Sequence, residues 1–333
     1  ASEVTSPTSP SCWALSDDAA GNRRQAEALA QAIDARFEAR CLVLREPWNT
    51  FAPRLTLLAD RGIRDASGAS LDPPWPDIAI GCGRRAALAT RLLRHWSGGN
   101  TFTVQILDPR IDTRAFDVVI APQHDGIRGA NVIGSIGALN PVDAAWLARG
   151  RTDFAALAAL PAPRTAVLIG ATSKAQALDA AYFAALAERL RARHASDGGS
   201  FLVTTSRRTP QSAVQDLRAM LATLPGRFWA GADDGPNPYA GFLAWSDRIV
   251  VTPDSVNMLS EACATGKPVY TFAPRPIEGK LAAFHRELRA SGHLRSIDDT
   301  AHRPQPPPLA ETREIAELVR KIWRTAAAKS LGR

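Results

Sequence analysis

No apolar run in the 333 residues approaches the 18 or more that a helix needs to span a bilayer, so none of these residues reads as a membrane-spanning helix. Cysteine is scarce. Cys12, Cys41, Cys82 and Cys263 lie far apart, which argues against a disulfide framework or a zinc site and for reduced thiols in a cytoplasmic protein. There is no Asp-x-Asp, no His-Glu-x-x-His, no Walker lysine loop and no Gly-x-Ser-x-Gly. Metal-dependent sugar transfer, zinc hydrolysis, P-loop NTPase activity and α/β-hydrolase chemistry therefore lack their residues.

What is present is globular: 45% hydrophobic and 22% charged residues, in a length that suits two domains. The formal charge of +7 favours anionic partners without choosing among phosphates, acidic glycans, lipid surfaces and nucleic acid. Residues 1–11, Ser/Thr/Pro-rich and without a basic or apolar signal segment, read as a disordered tail.

Strand and helix signals alternate along the chain. Buried parallel strands are expected over residues 12–16, 41–45, 77–81, 101–106 and 117–121. The first helix is expected to start at Asn22, with Gln25 three residues on as in a capping box. Regularity lapses between Gly137 and Pro163, and Leu160-Pro-Ala-Pro163 reads as an interdomain linker. A second series follows, with strands over 165–170, 200–205, 227–230, 247–252 and 268–272. After the stiff proline segment 304–308, an amphipathic helix runs over about 311–328 and is expected to pack back on the first domain. The predicted plan is α/β: an N-terminal Rossmann-like domain over 12–160, a C-terminal one over 164–303, and a last helix over 309–333. In open parallel sheets ligands bind at the carboxyl ends of strands, so the loops there carry the chemical reading.

The most informative of these follows the strand over 247–252. A helix opens at Asp254 or Ser255, and Val256, Leu259 and Cys263 share its packed face. Asp254, Asn257 and Glu261, at i, i+3 and i+7, share another. Backbone N–H groups at a helix start can hold phosphate oxygens, and Glu261 could accept ribose hydroxyls. The alternative is an ordinary N-cap with a solvated Glu261. Gly170-Ala-Thr-Ser-Lys174 and Thr204-Thr-Ser-Arg-Arg208 should converge on the same place, bringing Ser173, Lys174, Ser206 and Arg207 to phosphate, or else are solvated turns. In the first half, Asp17-Asp-Ala-Ala-Gly21 follows the first strand, and Asp18 is a candidate general base. His124 beside Asp125, in Ala121-Pro-Gln-His-Asp-Gly126, is a second candidate base; a polar surface histidine is the simpler reading. Gly81-Cys-Gly-Arg-Arg-Ala86 matches G-x-G-x-x-A, but it follows the third strand rather than the first.

These segments, with Asp18-Ala-Ala-Gly-Asn-Arg-Arg-Gln25, Gln105-Ile-Leu-Asp-Pro-Arg110 and Val251-Thr-Pro-Asp-Ser-Val-Asn-Met-Leu-Ser-Glu261, resemble the plant elongated-mitochondria fission-factor family and its bacterial relatives, often labelled nucleoside-diphosphate-sugar epimerases. The resemblance implies a GT-B-like fold, two Rossmann-like doubly wound domains facing a cleft. That fold is similar to the transferase that adds N-acetylglucosamine to the peptidoglycan lipid precursor. It also implies Ser255, Ser260 and Glu261 near the donor's phosphates and ribose, and the 17–21 loop toward the acceptor.

The expected function is a metal-independent inverting glycosyltransferase with a nucleotide sugar as donor substrate, no tightly bound cofactor, and a glycan or lipid-linked envelope acceptor. An epimerase on the same fold and a non-catalytic adaptor in membrane remodelling are the alternatives. No nucleic acid partner is expected. The expected location is the cytoplasm, with peripheral contact to the inner membrane available through the basic final helix.

Overall fold

The computed structural model describes residues 9–173 and 176–331. The chain divides into two compact units, one comprising residues 1–141 with 311–333, the other 142–310.

Unit 1 runs β1 (Ser11–Ser16), α1 (Ala20–Ala32), β2 (Arg36–Leu44), a single turn α2 (Trp48–Phe51), β3 (Ile63–Asp65), β4 (Ile78–Cys82), α3 (Arg84–Trp96), β5 (Phe102–Ile106), β6 (Val118–Pro122) and β7 (Val132–Ser135). Its seven strands lie in the order β3-β2-β1-β4-β5-β6-β7, parallel except for the edge strand β3, which runs antiparallel to β2. The central strands are wholly buried because their apolar runs face helices on both sides. One face packs Cys12, Ala14, Ile78, Ile80 and Val104 against Leu29 of α1 and Ile33 at its C-cap; the other packs Leu15, Ala79 and Ile63 against Leu88 and Leu92 of α3.

Unit 2 runs α4 (Ala144–Asp153), β8 (Arg164–Ile169), α5 (Ala180–Asp197), β9 (Ser200–Thr205), α6 (Gln211–Leu221), β10 (Gly226–Trp229), α7 (Tyr239–Trp245), β11 (Arg248–Val251), α8 (Val256–Ala264), β12 (Val269–Thr271), α9 (Gly279–Ala290) and β13 (Arg295–Ser296). All six strands are parallel, in the order β10-β9-β8-β11-β12-β13. The order therefore reverses between β8 and β11, as it does between β1 and β4 in unit 1. Such reversals open a crevice at the strands' carboxyl ends. Helix α5 shows a local start and stop. In α5, Asp179 accepts from the Tyr182 N–H at 2.9 Å, and Gly198 at φ +81° ends it.

The last helix, α10 (Glu311–Leu331), belongs to unit 1, where Ile315, Ala316 and Val319 join the α1 face of the core. Burying a side chain the size of Ile315 or Val319 stabilises by about 1.5–3 kcal/mol. The Glu311 carboxylate fixes the helix start by accepting from the Ile136 and Gly137 N–H groups at 2.6 and 2.9 Å.

Several boundaries differ from the sequence reading. Strand β1 begins at Ser11, whose N–H and hydroxyl both donate to Asp77, so the tail is shorter than 1–11. Helix α1 starts at Ala20 with no side-chain cap, because Asn22 turns its amide toward Asp17 at 3.0 Å instead. The units part at residue 141, not 160. Helix α4 packs on α7, with Gly150 so close to the Ala240 carbonyl that a Cβ would come within 2.6 Å of it. The prolines 161–163 are thus a connector inside unit 2. The proline segment 304–308 also lies on unit 2: the Leu309 N–H donates to the Cys263 carbonyl, and Pro308 sits against Gly266. Strands β3, β7 and β13 were not anticipated, being short, at or near sheet edges and only partly apolar.

Candidate functional site

The carboxyl edge of the unit 2 sheet is held by one connected set of hydrogen bonds. Val251 ends β11, and the buried Thr252 follows. The Gly170 N–H donates to Thr252 Oγ1 at 2.8 Å, and that hydroxyl donates to Asp254 Oδ1 at 2.6 Å. Asp254 Oδ2 accepts from the Ala171 N–H at 2.9 Å. From the β9 side, Thr209 Oγ1 donates to the Gly170 carbonyl at 2.6 Å and accepts from the Ser206 N–H at 3.0 Å. The loops after β8, β9 and β11, on three adjacent strands, are thereby laced together. Gly170 is required there: a Cβ would lie 2.1 Å from Asp254 Oδ2. Below the turn, His285 of α9 is buried, with Nε2 2.8 Å from the Pro253 carbonyl, so that nitrogen carries the proton. Its Nδ1 has no hydrogen-bond partner among the described residues. Burial first, with Arg289 adding, pushes its pKa below the usual 6.5, against the raising effect of the Pro253 bond.

Helix α8 opens from this scaffold. Ser255 is its N-cap and accepts from the Met258 N–H at 3.2 Å. Among the described residues the amides of Val256 and Asn257, in the first turn of α8, have no hydrogen-bond partner and form the half-buried positive end of the helix dipole. Asn257 is half-buried beside them. Ser260 is buried and returns its hydroxyl to the Val256 carbonyl at 2.7 Å. Glu261 is only 3% exposed, which excludes the solvated alternative for it. Ser173 accepts from the Gln176 N–H at 3.2 Å. Ser206 pairs with Thr209 at 3.1 Å, and Arg207 is exposed at the mouth of the β9 loop. Lys174 lies outside the described residues.

The structure thus gathers Ser173, Ser206, Arg207, Asp254, Ser255 and Asn257 along one sheet edge, but not in equal roles. Asp254 has both oxygens engaged as a fastener of the loops. The residues that do this fastening with it, Thr252, Thr209 and His285, were missed in the sequence. Thr252 and Thr209 stand just after strands, where a hydroxyl between an apolar run and a Pro or Gly is a readable sign of a satisfied turn.

In unit 1 the corresponding crevice lies between β1 and β4. Asp17 Oδ1 accepts from the Ala19 N–H and from Asn22 Nδ2 at 3.1 and 3.0 Å. Asn22 lies against Gly83, which has φ +88°, and its Oδ1 accepts from the Cys82 thiol at 3.7 Å. Asp18 is exposed and pairs with Arg85 at 3.4 Å. His124 and Asp125, both half-buried, form a single 3-10 turn after β6 that closes on Gly126 at φ +71°. Strands β4 and β5 separate β1 from β6, about 14 Å at the usual strand spacing. The structure therefore does not bring Asp18 and His124 together. The thiols of Cys12 and Cys263 are pushed up to about 12 by burial. Among the described residues no group of His, Cys, Asp and Glu could hold a metal ion, and no helix is long and apolar enough to cross a membrane.

Comparison with solved structures matches nearly the whole chain. The UDP-GlcNAc 2-epimerase of Methanocaldococcus jannaschii superposes with a TM-score of 0.54 at 10% identity, covering 93% of this chain and 99% of that one. The glycotransferase of kitacinnamycin superposes at 0.50 with 13% identity, covering 96% and 95%. With the two reversed-order parallel sheets, these likenesses define a GT-B-like α/β protein. The family model for mitochondrial fission ELM1 matches residues 20–323, and the mitochondrial fission protein ELM1 of Arabidopsis thaliana is 32% identical over 292 residues, 78% of this chain and 67% of that one. The chain belongs to the mitochondrial fission ELM1 family.

Proposed function

We propose that the carboxyl edge of unit 2 binds the nucleoside diphosphate of a nucleotide sugar, and that the protein is a metal-independent inverting glycosyltransferase acting on an envelope glycan or lipid-linked acceptor. The observation that carries this reading is the laced edge itself. Three loops are fixed without using the first amides of α8, so those N–H groups are held in place for an anion. Arg207 adds a guanidinium suited to bidentate phosphate binding. Glu261 is the ribose contact of the reading. The GT-B-like relatives include an enzyme named for UDP-GlcNAc, which makes UDP-GlcNAc the first donor to test.

In the reaction the acceptor oxygen attacks the anomeric carbon while the carbon–oxygen bond to the diphosphate breaks. The hydroxyl proton passes to a base, and the anomeric configuration inverts. Asp18 is that base: it is an exposed carboxylate at the reversal of unit 1, paired with Arg85. The helix dipole and Arg207 stabilise the departing diphosphate, a charge that other transferases offset with a metal.

Thermal unfolding with UDP, UDP-GlcNAc and other nucleotides tests the donor site. A ligand at 100 times its Kd stabilises by about 2.7 kcal/mol. At least one nucleotide should raise Tm, and Arg207→Ala and Glu261→Gln should each weaken the shift. If no nucleotide raises Tm, the reading fails. A second reading, a non-catalytic adaptor, is supported by the family's description in mitochondrial fission. It predicts that Asp18→Asn and Arg207→Ala leave the cellular role intact. An epimerase would yield a free or nucleotide-linked epimer without any acceptor.

A further inference from the structure

Among the described residues, all six large hydrophobic side chains that stand exposed belong to unit 1, and three crowd into one excursion. Between β2 and β3 the chain leaves the carboxyl edge of the sheet at Arg45 and returns at Gly62, where the Arg45 N–H donates to the Gly62 carbonyl at 2.8 Å. Phe51, Leu57 and Leu58 project from this excursion, 57%, 72% and 49% exposed. Leu58 holds φ +54°, a left-handed conformation that costs a leucine energy and is kept only where the surroundings enforce it.

The surroundings do enforce it. Arg84 of α3 donates to the carbonyls of Asn49, Thr50 and Ala52 at 2.7, 3.3 and 3.1 Å, and Arg91 donates to those of Pro53 and Arg54 at 3.0 and 3.1 Å. Trp48 Nε1 donates to the Leu57 carbonyl at 2.9 Å, and its ring fills the space beside Gly62, where a Cβ would lie 2.0 Å away. Ala52 and Ala59 anchor the excursion in the core. A tip fixed this firmly, with its apolar side chains turned outward, is not a loosely packed loop. Arg45, Arg54 and Arg61 stand exposed around it. The carboxylates of the same stretch are Glu46, whose pKa the Thr50 and Asn49 hydrogen bonds hold below the ordinary range, and Asp60, so the three arginines leave the excursion net positive.

We propose that the 45–62 excursion docks on an anionic phospholipid surface, with Phe51, Leu57 and Leu58 entering the interface and Arg45, Arg54 and Arg61 meeting the headgroups. Charge decides between this and a second copy of the chain. A two-fold dimer on this patch would set each arginine rim against its own image, whereas an anionic membrane neutralises the rim and accepts the leucines. The inference stands apart from the donor-site reading, because none of these residues lies in unit 2.

The test is sedimentation of the full chain with vesicles of phosphatidylcholine alone or with phosphatidylglycerol added. The expected result is binding to the anionic vesicles only, weakened by salt. Leu57→Ser with Leu58→Ser should lower the partition coefficient at least about tenfold, and Arg54→Glu with Arg61→Glu should lower it comparably, with Tm unchanged. Three results overturn the proposal. The first is no binding to anionic vesicles. The second is binding unaffected by either pair of substitutions but lost in Leu318→Ser with Ile322→Ser, which would place the contact on α10. The third is a concentration-dependent dimer, seen by analytical ultracentrifugation, that the leucine substitutions dissociate.

Discussion

Units 1 and 2 share a strand order around their reversal points, yet they spend their loop residues differently. In unit 2, hydroxyls and one carboxylate tie three loops to one another, and Thr252, Thr209 and Asp254 carry this lacing. In unit 1 the tie at the reversal is smaller, Asp17 to Asn22 to Cys82, and the stronger donors of α3 reach away to fix the 45–62 excursion. The same topology thus fixes its loops in two ways: loop to loop in unit 2, and helix α3 to excursion in unit 1.

The largest way to sharpen this contrast is chemical. Asp18→Asn should lower transfer about 10²–10⁴-fold in an assay of UDP release with acceptor, while Tm and the nucleotide-induced shift stay as in the wild type. If His124→Ala causes that loss and Asp18→Asn does not, the base belongs to the β6 turn. Next is the lacing. Thr252→Val leaves the buried Gly170 N–H without its acceptor and should cost about 1–3 kcal/mol in denaturant unfolding. Asn22→Ala, its counterpart in unit 1, should cost about 1 kcal/mol or less. Equal costs would break the contrast between the units.

A pH effect follows from His285. Its native pKa is depressed, so below pH 6.5 the unfolded chain binds the proton that the native state resists. Stability contributed by the neutral ring is present above pH 6.5 and is lost as pH falls from 6.5 toward the lower native pKa. Unfolding titrations across that window should show the slope in the wild type and a smaller one in His285→Gln. The smallest effects concern helix starts. Ser255→Ala should cost about 1 kcal/mol, and Ala19→Ser, giving α1 the cap it lacks, should gain a few tenths to about 1 kcal/mol.

Much of this was legible beforehand where burial and local chemistry agree. The strands over 164–169 and 200–205 are apolar runs between turn signals, and their bounds fall within one residue of the reading. Ser255 as N-cap is a local matter, and so is the family resemblance in the motif ending at Glu261. Long-range facts were not legible. The packing of Gly150 on Ala240 joins residues 90 apart and moves the unit boundary past a proline signal that looked decisive. That Asp254 is spent on Ala171 and Thr252 depends on the turn after β8, and the burial of Ser260 and Glu261 depends on packing around α8. Exposed leucines are the hardest case, since nothing local in the sequence marks Leu57 and Leu58 as exposed.

The return of α10 to unit 1 sets an order in time. The ribosome must finish residues 142–310 before the helix that covers Leu29 and Ile33 exists, so the first unit made is the last to be completed. Until then its α1 face stays open to chaperones and to neighbouring nascent chains. A stop anywhere in unit 2 would therefore release two incomplete bodies rather than one finished and one missing.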